Sequence, residues 1–334
     1  PGPDRLRSAH PTDADVRRTV ERAREGIRAL LEGRDRRLLV ISGPCSVHDP
    51  GDALEYARRL QRLASRHAGQ LLVVMRVFVE KPRTSLSWKG LANDPDLDGT
   101  CDIARGLHMS RALLRDVNAL GVPCATELLE PLTPHYLGDL LPWRGVAART
   151  VESQDHRENA SGMAFPIGIK NATDGSLDSA CHALRAASRP HRFAGVSPEG
   201  RPAVLATRGN PDVHLVLRGG LDGPNHDEPH LAQAVARAGE VGVARPLVID
   251  CAHGNSGGHP GRQASVCREV LGQVREGNSA IAGLMLESQL EEGRQTLELR
   301  RRVLPKVSDT DACLGGNETE DLLWAAPEAV KLSR

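Results

Sequence analysis

Two sets of residues in this sequence have the types needed for chemistry, and most members of both sit where apolar, strand-like runs end. The stretch Val73–Trp88, VVMRVFVEKPRTSLSW, carries a β-branched run into Arg76, Lys81 and Arg83. Arg149, Lys170 and Arg218 close later runs of the same kind. Cations at the end of a buried strand are costly unless an anion pairs with them. Guanidinium forks suit bidentate capture of phosphate or carboxylate. Six cations exceed the need of one monoanion, so polyanionic substrates with more than one phosphate are expected. The competing expectation is that some of the six form structural ion pairs with Asp250 or Glu127. The second set is Cys45, His253, Glu287 and Asp311. A thiolate, an imidazole and two carboxylates fill most of the shell of a divalent transition metal. Their spacing is too wide for a compact metal motif. Mixed sulfur, nitrogen and oxygen donors leave manganese, iron, cobalt and zinc open.

The elements that must position these groups alternate regularly. Strand-like runs fit Leu38–Ser42, Leu71–Phe78, Val122–Leu128, Gly145–Arg149, Ala164–Lys170, Val213–Arg218, Pro246–Asp250 and Ala280–Leu286. Helical periodicity fits Asp15–Leu31, Gly51–His67, Cys101–Leu120, Pro134–Leu141, Leu177–Ala187, Glu228–Gly242, Pro260–Glu276 and Glu318–Lys331. Near-continuous apolar strands between helices indicate a parallel sheet covered on both faces. Eight such units predict an α/β fold, a (β/α)8 TIM barrel, occupying 1–334 as one domain. Residues 1–35 then form an N-terminal helical extension and 189–206 an inserted β-hairpin, with Pro198, Glu199 and Gly200 at its turn. In such a barrel the active site lies at the C-terminal ends of the strands, where both residue sets fall.

Composition narrows the class. The 334 residues carry 43 Lys and Arg against 43 Asp and Glu, so no net charge points to nucleic acid. Aromatic residues make up 2%, and the core must rest on Val, Leu, Ile and Ala. No apolar stretch approaches the length that crosses a membrane, and the N-terminal residues do not read as a signal peptide. The seven scattered cysteines read as reduced thiols rather than a disulfide framework. A soluble cytoplasmic enzyme is expected, with neither nucleic acid nor membrane as partner.

The motifs together resemble the type I 3-deoxy-D-arabino-heptulosonate 7-phosphate (DAHP) synthases. They are GPCSVHDP at Gly43–Pro50, MRVFVEKPRT at Met75–Thr84, WKGLANDPDLD at Trp88–Asp98, ARTVESQDHRE at Ala148–Glu158 and GIKNATDG at Gly168–Gly175. LRGG at Leu217–Gly220, IDCAHGNS at Ile249–Ser256, LESQLEEG at Leu286–Gly293 and TDACLG at Thr310–Gly315 complete the set. The resemblance implies a metal-dependent aldol-like condensation of phosphoenolpyruvate with D-erythrose 4-phosphate, the first step of the shikimate pathway. It implies that Cys45, His253, Glu287 and Asp311 hold one divalent metal, manganese favoured. Arg76 and Lys81 would meet the phosphoenolpyruvate carboxylate. Arg149, Lys170, Arg218 and the amide of Ala148 would cradle its phosphate, and Arg83 and Thr84 would anchor the aldose phosphate. Lys81, Glu127, Lys170 and His253 are the candidate catalytic groups, with proton handling open between Glu127 and Lys170. A homodimer or homotetramer is implied.

Some positions depart from the family pattern. Ala164 and Gly195 stand where regulated members often carry serine, while Phe193 remains, so weak or absent feedback inhibition by phenylalanine or tyrosine is expected. Gly316 stands where tryptophan is frequent. Barrel closure is expected to bring Cys313 toward Cys45, exposing a metal ligand to oxidation. Three other readings stay open: an arabinose 5-phosphate enzyme, a secondary-metabolism paralogue using another aldose phosphate, and a non-catalytic anion-binding regulatory barrel.

Overall fold

The computed structural model describes residues 2–83, 87–197, 199–296 and 303–332. Eleven strands follow in chain order: β1 (Leu38–Gly43), β2 (Leu71–Arg76), β3 (Cys124–Glu127), β4 (Trp143–Val146), β5 (Ile167–Lys170), β6 (Arg192–Val196), β7 (Pro202–Ala206), β8 (Val213–Leu217), β9 (Leu247–Asp250), β10 (Ile281–Gln289) and β11 (Leu314–Gly315). Eight of them run parallel in the order β1-β2-β3-β4-β5-β8-β9-β10, and β10 pairs back onto β1 to close a barrel. β6 and β7 form a separate antiparallel hairpin inside the expected 189–206 segment. The short β11 pairs in parallel with the C-terminal end of β10.

The helices are α1 (Pro3–Ala9), α2 (Ala14–Leu31), α3 (Pro50–Arg66), α4 (Ile103–Ala119), α5 (Thr133–Leu137), α6 (Gln154–Ser161), α7 (Asp178–Ala187), α8 (Glu228–Glu240), α9 (His253–Ser256), α10 (Pro260–Arg275) and α11 (Gly316–Leu332). Local sequence explains several starts. Asp13, Asp49, Asp102 and Asp227 each accept a hydrogen bond from a backbone N–H of the first helical turn. Asp49 and Asp227 are followed by Pro50 and Pro229 near the helix start, where proline costs nothing.

Side chains of alternating strand residues build two layers. Leu39, Ile41, Val74, Ala125, Trp143, Val216, Val248 and Met285 pack together with Ile27, Leu30 and Leu31 of α2, which places that helix across the N-terminal end of the barrel. The other strand faces, Val40, Val73, Val146 and Ile249 among them, pack under the surrounding helices. Trp143 is the largest fully buried side chain, and its indole N–H donates to His214 Nε2 at 3.1 Å. Gly145 and Gly168 make room for the ring. A Cβ on Gly145 would sit 3.0 Å from it, and one on Gly168 would overlap it and lie 2.7 Å from Val216.

The structure also departs from the sequence reading. The fourth strand was expected at Gly145–Arg149 but ends at Val146, and Ala147 to Thr150 turn away through a Thr150 N–H bond to the Ala147 carbonyl. Helix α6 was not expected, because QDHRENAS offers little apolar periodicity; its sequence mark was the N-cap Ser153, which accepts from His156 N. The extension contains a further helix, α1, that buries Pro3 and Leu6 and donates from Arg7 to the His135 carbonyl at 2.7 Å. Pro198 of the expected hairpin turn lies outside the described residues.

Since the tryptophan ring fills the space beside Gly168, Gly168→Ala should overpack the barrel and cost about 1–3 kcal/mol. Urea unfolding should show a lower midpoint with an unchanged slope.

Candidate active site

Parallel pairing puts every strand's C-terminal end at one mouth of the barrel. Registers fix the neighbours: Gly43 lies opposite Glu287, Glu127 opposite Gly145, Lys170 opposite Val216 and Asp250 opposite Met285. One cavity at this mouth is lined by Arg76, Lys81, Arg83, Glu127, Ala148, Arg149, Lys170, Arg218, His253, Glu287 and Asp311, with Phe78, Pro82, Ala147 and Thr173. Eleven residues singled out from sequence therefore meet in one place. Cys45 lies fully buried beside them, its Sγ 3.4 Å from Asp311 Oδ2 and 3.3 Å from Lys81 Nζ. Thr84 lies outside the described residues. Larger clefts exist behind α2 and beside the hairpin, but neither gathers this constellation.

The cations divide by partner. Arg76 is fully buried and pairs with Glu287 at 2.9 Å, its guanidinium 3.9 Å from the Phe78 ring centroid. Lys170 pairs with Asp250 at 2.9 Å. The expected ion pair with Asp250 is made by Lys170, whereas Arg76 pairs with Glu287, an acid outside that expectation. Lys81 donates to the Cys45 carbonyl at 2.9 Å. Burial pushes its pKa down, yet the neighbouring acidic groups Cys45, Glu127 and Glu287 outweigh burial and hold it above the ordinary lysine value. Arg83, Arg149 and Arg218 donate, among the described residues, to backbone carbonyls of Trp88, Pro82, Thr173 and Gly219. Burial, with the nearby Arg149 charge, depresses the pKa of Arg218. Three guanidinium groups thus line the cavity with no carboxylate partner among the described residues.

The metal-type residues also converge. Donor atoms of Cys45, Glu287 and Asp311 lie within 4.8 Å of one another. His253 stands slightly apart, its Nε2 3.6 Å from Glu287 Oε1. Its Nδ1 lies 3.0 Å from Asp250 Oδ2, a charge contact without hydrogen-bond alignment. Its backbone is left-handed, φ 55°, an uncommon state for a non-glycine residue. Burial is the main force raising the Cys45 pKa well above the usual thiol value, followed by the Glu287 charge. Burial alone would raise the Asp250 pKa, but His253, Lys170 and Arg76 hold it well below the carboxylate range. Two carboxylates and a buried thiol facing each other are the donor set of a divalent cation, whose charge would favour the thiolate.

Sequence reading missed the groups behind this surface. Asn171 accepts from the Arg218 N–H, Asn225 from the Gly219 N–H, and Asn255 donates to the Asp250 carbonyl, so three buried amides hold the strand ends carrying Arg218 and Asp250. Each follows a motif residue by only a few positions, but a lone asparagine has no periodicity to reveal it. Cys313, as expected, approaches Cys45 and accepts a hydrogen bond from its backbone. Glu80, next to Lys81, is buried with Thr133 Oγ1 donating to it at 2.7 Å and the buried Arg144 nearby.

A profile of the DAHP synthetase I family matches residues 16–324. The chain belongs to that family. It is an aldol-type transferase making DAHP at the entry to the shikimate pathway, and the binding-only barrel and the arabinose 5-phosphate reading fall away. Over 322 residues it is 47% identical to the Tyr-sensitive phospho-2-dehydro-3-deoxyheptonate aldolase of Escherichia coli K12, covering 96% of this chain and 90% of that protein. Over 332 residues it is 44% identical to the Phe-sensitive enzyme of the same strain, covering 99% and 95%. The solved phospho-2-dehydro-3-deoxyheptonate aldolase of Francisella tularensis SCHU S4 superposes with a TM-score of 0.97 at 39% identity, covering 100% of this chain and 97% of the other. No helix among the described residues is long and apolar enough to cross a membrane.

Burial is the main force pushing the Glu80 pKa up to about 7, against the pull of Arg144 and Thr133. A carboxyl raised on folding gives stability that is full below its unfolded pKa and lost as pH climbs through the folded value. Melting curves from about pH 4 to about pH 8 should therefore show the wild type losing stability that Glu80→Gln keeps, at most about 3 kcal/mol.

Proposed function

We propose that the cavity residues divide the condensation of phosphoenolpyruvate with D-erythrose 4-phosphate between three jobs. The observation that carries this is the set of Arg83, Arg149 and Arg218 lining the cavity and donating only to backbone carbonyls among the described residues. Arg149, Lys170, Arg218 and the Ala148 amide hold the enolpyruvate phosphate. Arg76 and Lys81 face its carboxylate, and Arg83, with Thr84, anchors the aldose phosphate. Holding two polyanions against their repulsion in attack geometry supplies much of the rate. Cys45, His253, Glu287 and Asp311 would hold one divalent metal, manganese favoured, which when bound polarises the aldehyde carbonyl.

Carbon 3 of the enol phosphate bonds to the aldehyde carbon, the aldehyde oxygen takes a proton, water adds to carbon 2, and the carbon–oxygen bond to phosphate breaks. Glu127, buried with its Oε2 free of hydrogen bonds among the described residues, accepts the proton of the attacking water. Lys170, held by Asp250, stays a cation toward phosphate. His253, its Nδ1 3.0 Å from Asp250 Oδ2, would offer its Nε2 to the metal. The chain works as one barrel unit in the cytoplasm, with 1–35 and the 189–206 hairpin as additions. A homodimer or homotetramer, as the family resemblance implies, completes the reading.

Loss of phosphoenolpyruvate absorbance in the presence of erythrose 4-phosphate should stop on chelation and return with Mn²⁺. Metal-dependent turnover confined to another aldose phosphate would reassign the second substrate, and no turnover with any aldehyde would sink the reading.

The cleft beside the hairpin has no serine hydroxyl at position 164 or 195 for an amino acid's polar end, although Arg28, Asn159, Arg208 and Asp212 also line it. Ala164 and Phe193 line it, and its hydroxyls Ser161 and Thr207 bond each other at 2.7 Å. Leu205 occupies the space a side chain at Gly195 would need, its Cγ 3.0 Å from a Cβ there. Saturating phenylalanine or tyrosine should leave the initial rate within about twofold, a shift of under 0.5 kcal/mol in binding or barrier.

A further inference from the structure

Asp311 is the outlier among the four proposed metal ligands. Glu287 lies within β10, Cys45 two residues past β1 and His253 three past β9, whereas Asp311 sits in the loop between β10 and α11. Something other than a barrel strand must hold it against Cys45. A buried side-chain cluster joins the two loops. Asp309, its side chain fully buried, accepts from Ser46 Oγ through Oδ1 at 2.7 Å. Ser46 Oγ is also 2.7 Å from Thr310 Oγ1. The same Asp309 oxygen faces His48 Nδ1 at 3.5 Å, and Oδ2 has no hydrogen-bond partner among the described residues. Ser46 and His48 belong to the Cys45 loop, and Asp309 and Thr310 to the Asp311 loop. The cluster therefore flanks both ligands in sequence, and none of its four residues lines the substrate cavity.

Two further tethers hold the Asp311 loop, but farther from the ligand. Lys306 donates its backbone N–H to Asp52 and its ammonium to Glu55 of α3, at 2.5 and 3.1 Å. Cys313 and Gly293 exchange backbone hydrogen bonds at 2.9 and 3.1 Å. Between these anchors, the side-chain contacts from the Asp311 loop to the Cys45 loop among the described residues are the two hydrogen bonds of Ser46, the His48–Asp309 contact and the contact between the ligands Cys45 and Asp311 themselves. A carboxylate buried this completely is costly, and a cost of that size is offset when the group fixes geometry a metal centre needs.

We propose that Asp309 is a positioning residue that, through Ser46, clasps the Asp311 loop onto the Cys45 loop and sets how tightly the centre keeps its metal. This rests on the reading of Cys45, His253, Glu287 and Asp311 as metal ligands. Asp309 touches neither substrate nor metal; its effect passes through where Asp311 stands.

The test is a Co²⁺ titration of the full chain against a competing chelator, followed by the thiolate-to-cobalt absorption that reports ligation by Cys45. Wild type should bind one Co²⁺ with that band, and Cys45→Ser should lack it. Asp309→Ala and Ser46→Ala should each weaken Co²⁺ binding about 10- to 100-fold, while saturating Co²⁺ restores the band. Asp309→Asn, which keeps an acceptor for Ser46, should recover most of the affinity. The KM for phosphoenolpyruvate at saturating metal should not move. Should Asp309→Ala fail to fold, Ser46→Ala carries the same test with a smaller perturbation. Wild-type binding with unchanged affinity in Ser46→Ala overturns the clasp alone. A wild type that takes up no Co²⁺ overturns the metal reading and the clasp with it.

Discussion

The ion pair of Arg76 with Glu287, buried at the barrel mouth with 2.9 Å between the charged atoms, is the constraint on which the rest of the site depends. One partner belongs to the cations proposed to face anionic substrate, the other to the acids proposed to hold a metal. Breaking such a pair leaves an uncompensated buried charge at about 3–5 kcal/mol, so each set requires the other in place. The same logic repeats with Lys170 and Asp250, and again with Lys81 against Cys45. The charges at the mouth largely answer one another, and the remaining imbalance is Arg83, Arg149 and Arg218, which line the cavity without a carboxylate partner among the described residues.

Holding these charges rigid falls to parts of the protein that carry no reactive group. The layer around Trp143 fills the barrel below the site, and α2 covers its N-terminal end. Asn171, Asn225 and Asn255 satisfy the polar backbone where β8 and β9 open into loops. Uncoupled from these supports, side chains as long as arginine and lysine would spend binding energy on ordering themselves. The membership in the DAHP synthetase I family is thus matched by an architecture that keeps the charges fixed before substrate arrives.

Where sequence reading fell short, the cause is physical. Helix α6 is polar on most of its surface, so the periodicity that marks a helix by its buried face is nearly absent. The fourth strand was placed too far along because Ala147 and Ala148 read as apolar continuation, while the backbone turns there to aim Arg149 at the cavity. Arg144, which sequence reading did not single out, is fully buried beside Glu80. Nothing in its neighbours along the chain foretells that burial, because Glu80 lies across the sheet.

The sequence by itself determined the alternation of strands and helices, the parallel barrel and the residue types at each strand end. Those follow from short-range patterns: apolar period, capping residues, and charges placed where a buried run stops. Only the tertiary structure decided which charges answer one another. Arg76 meets Glu287 and Cys45 meets Asp311 across more than two hundred residues of chain, and such pairings are fixed by barrel closure and strand register. The register is set by packing of side chains between layers, a property no local stretch of sequence contains.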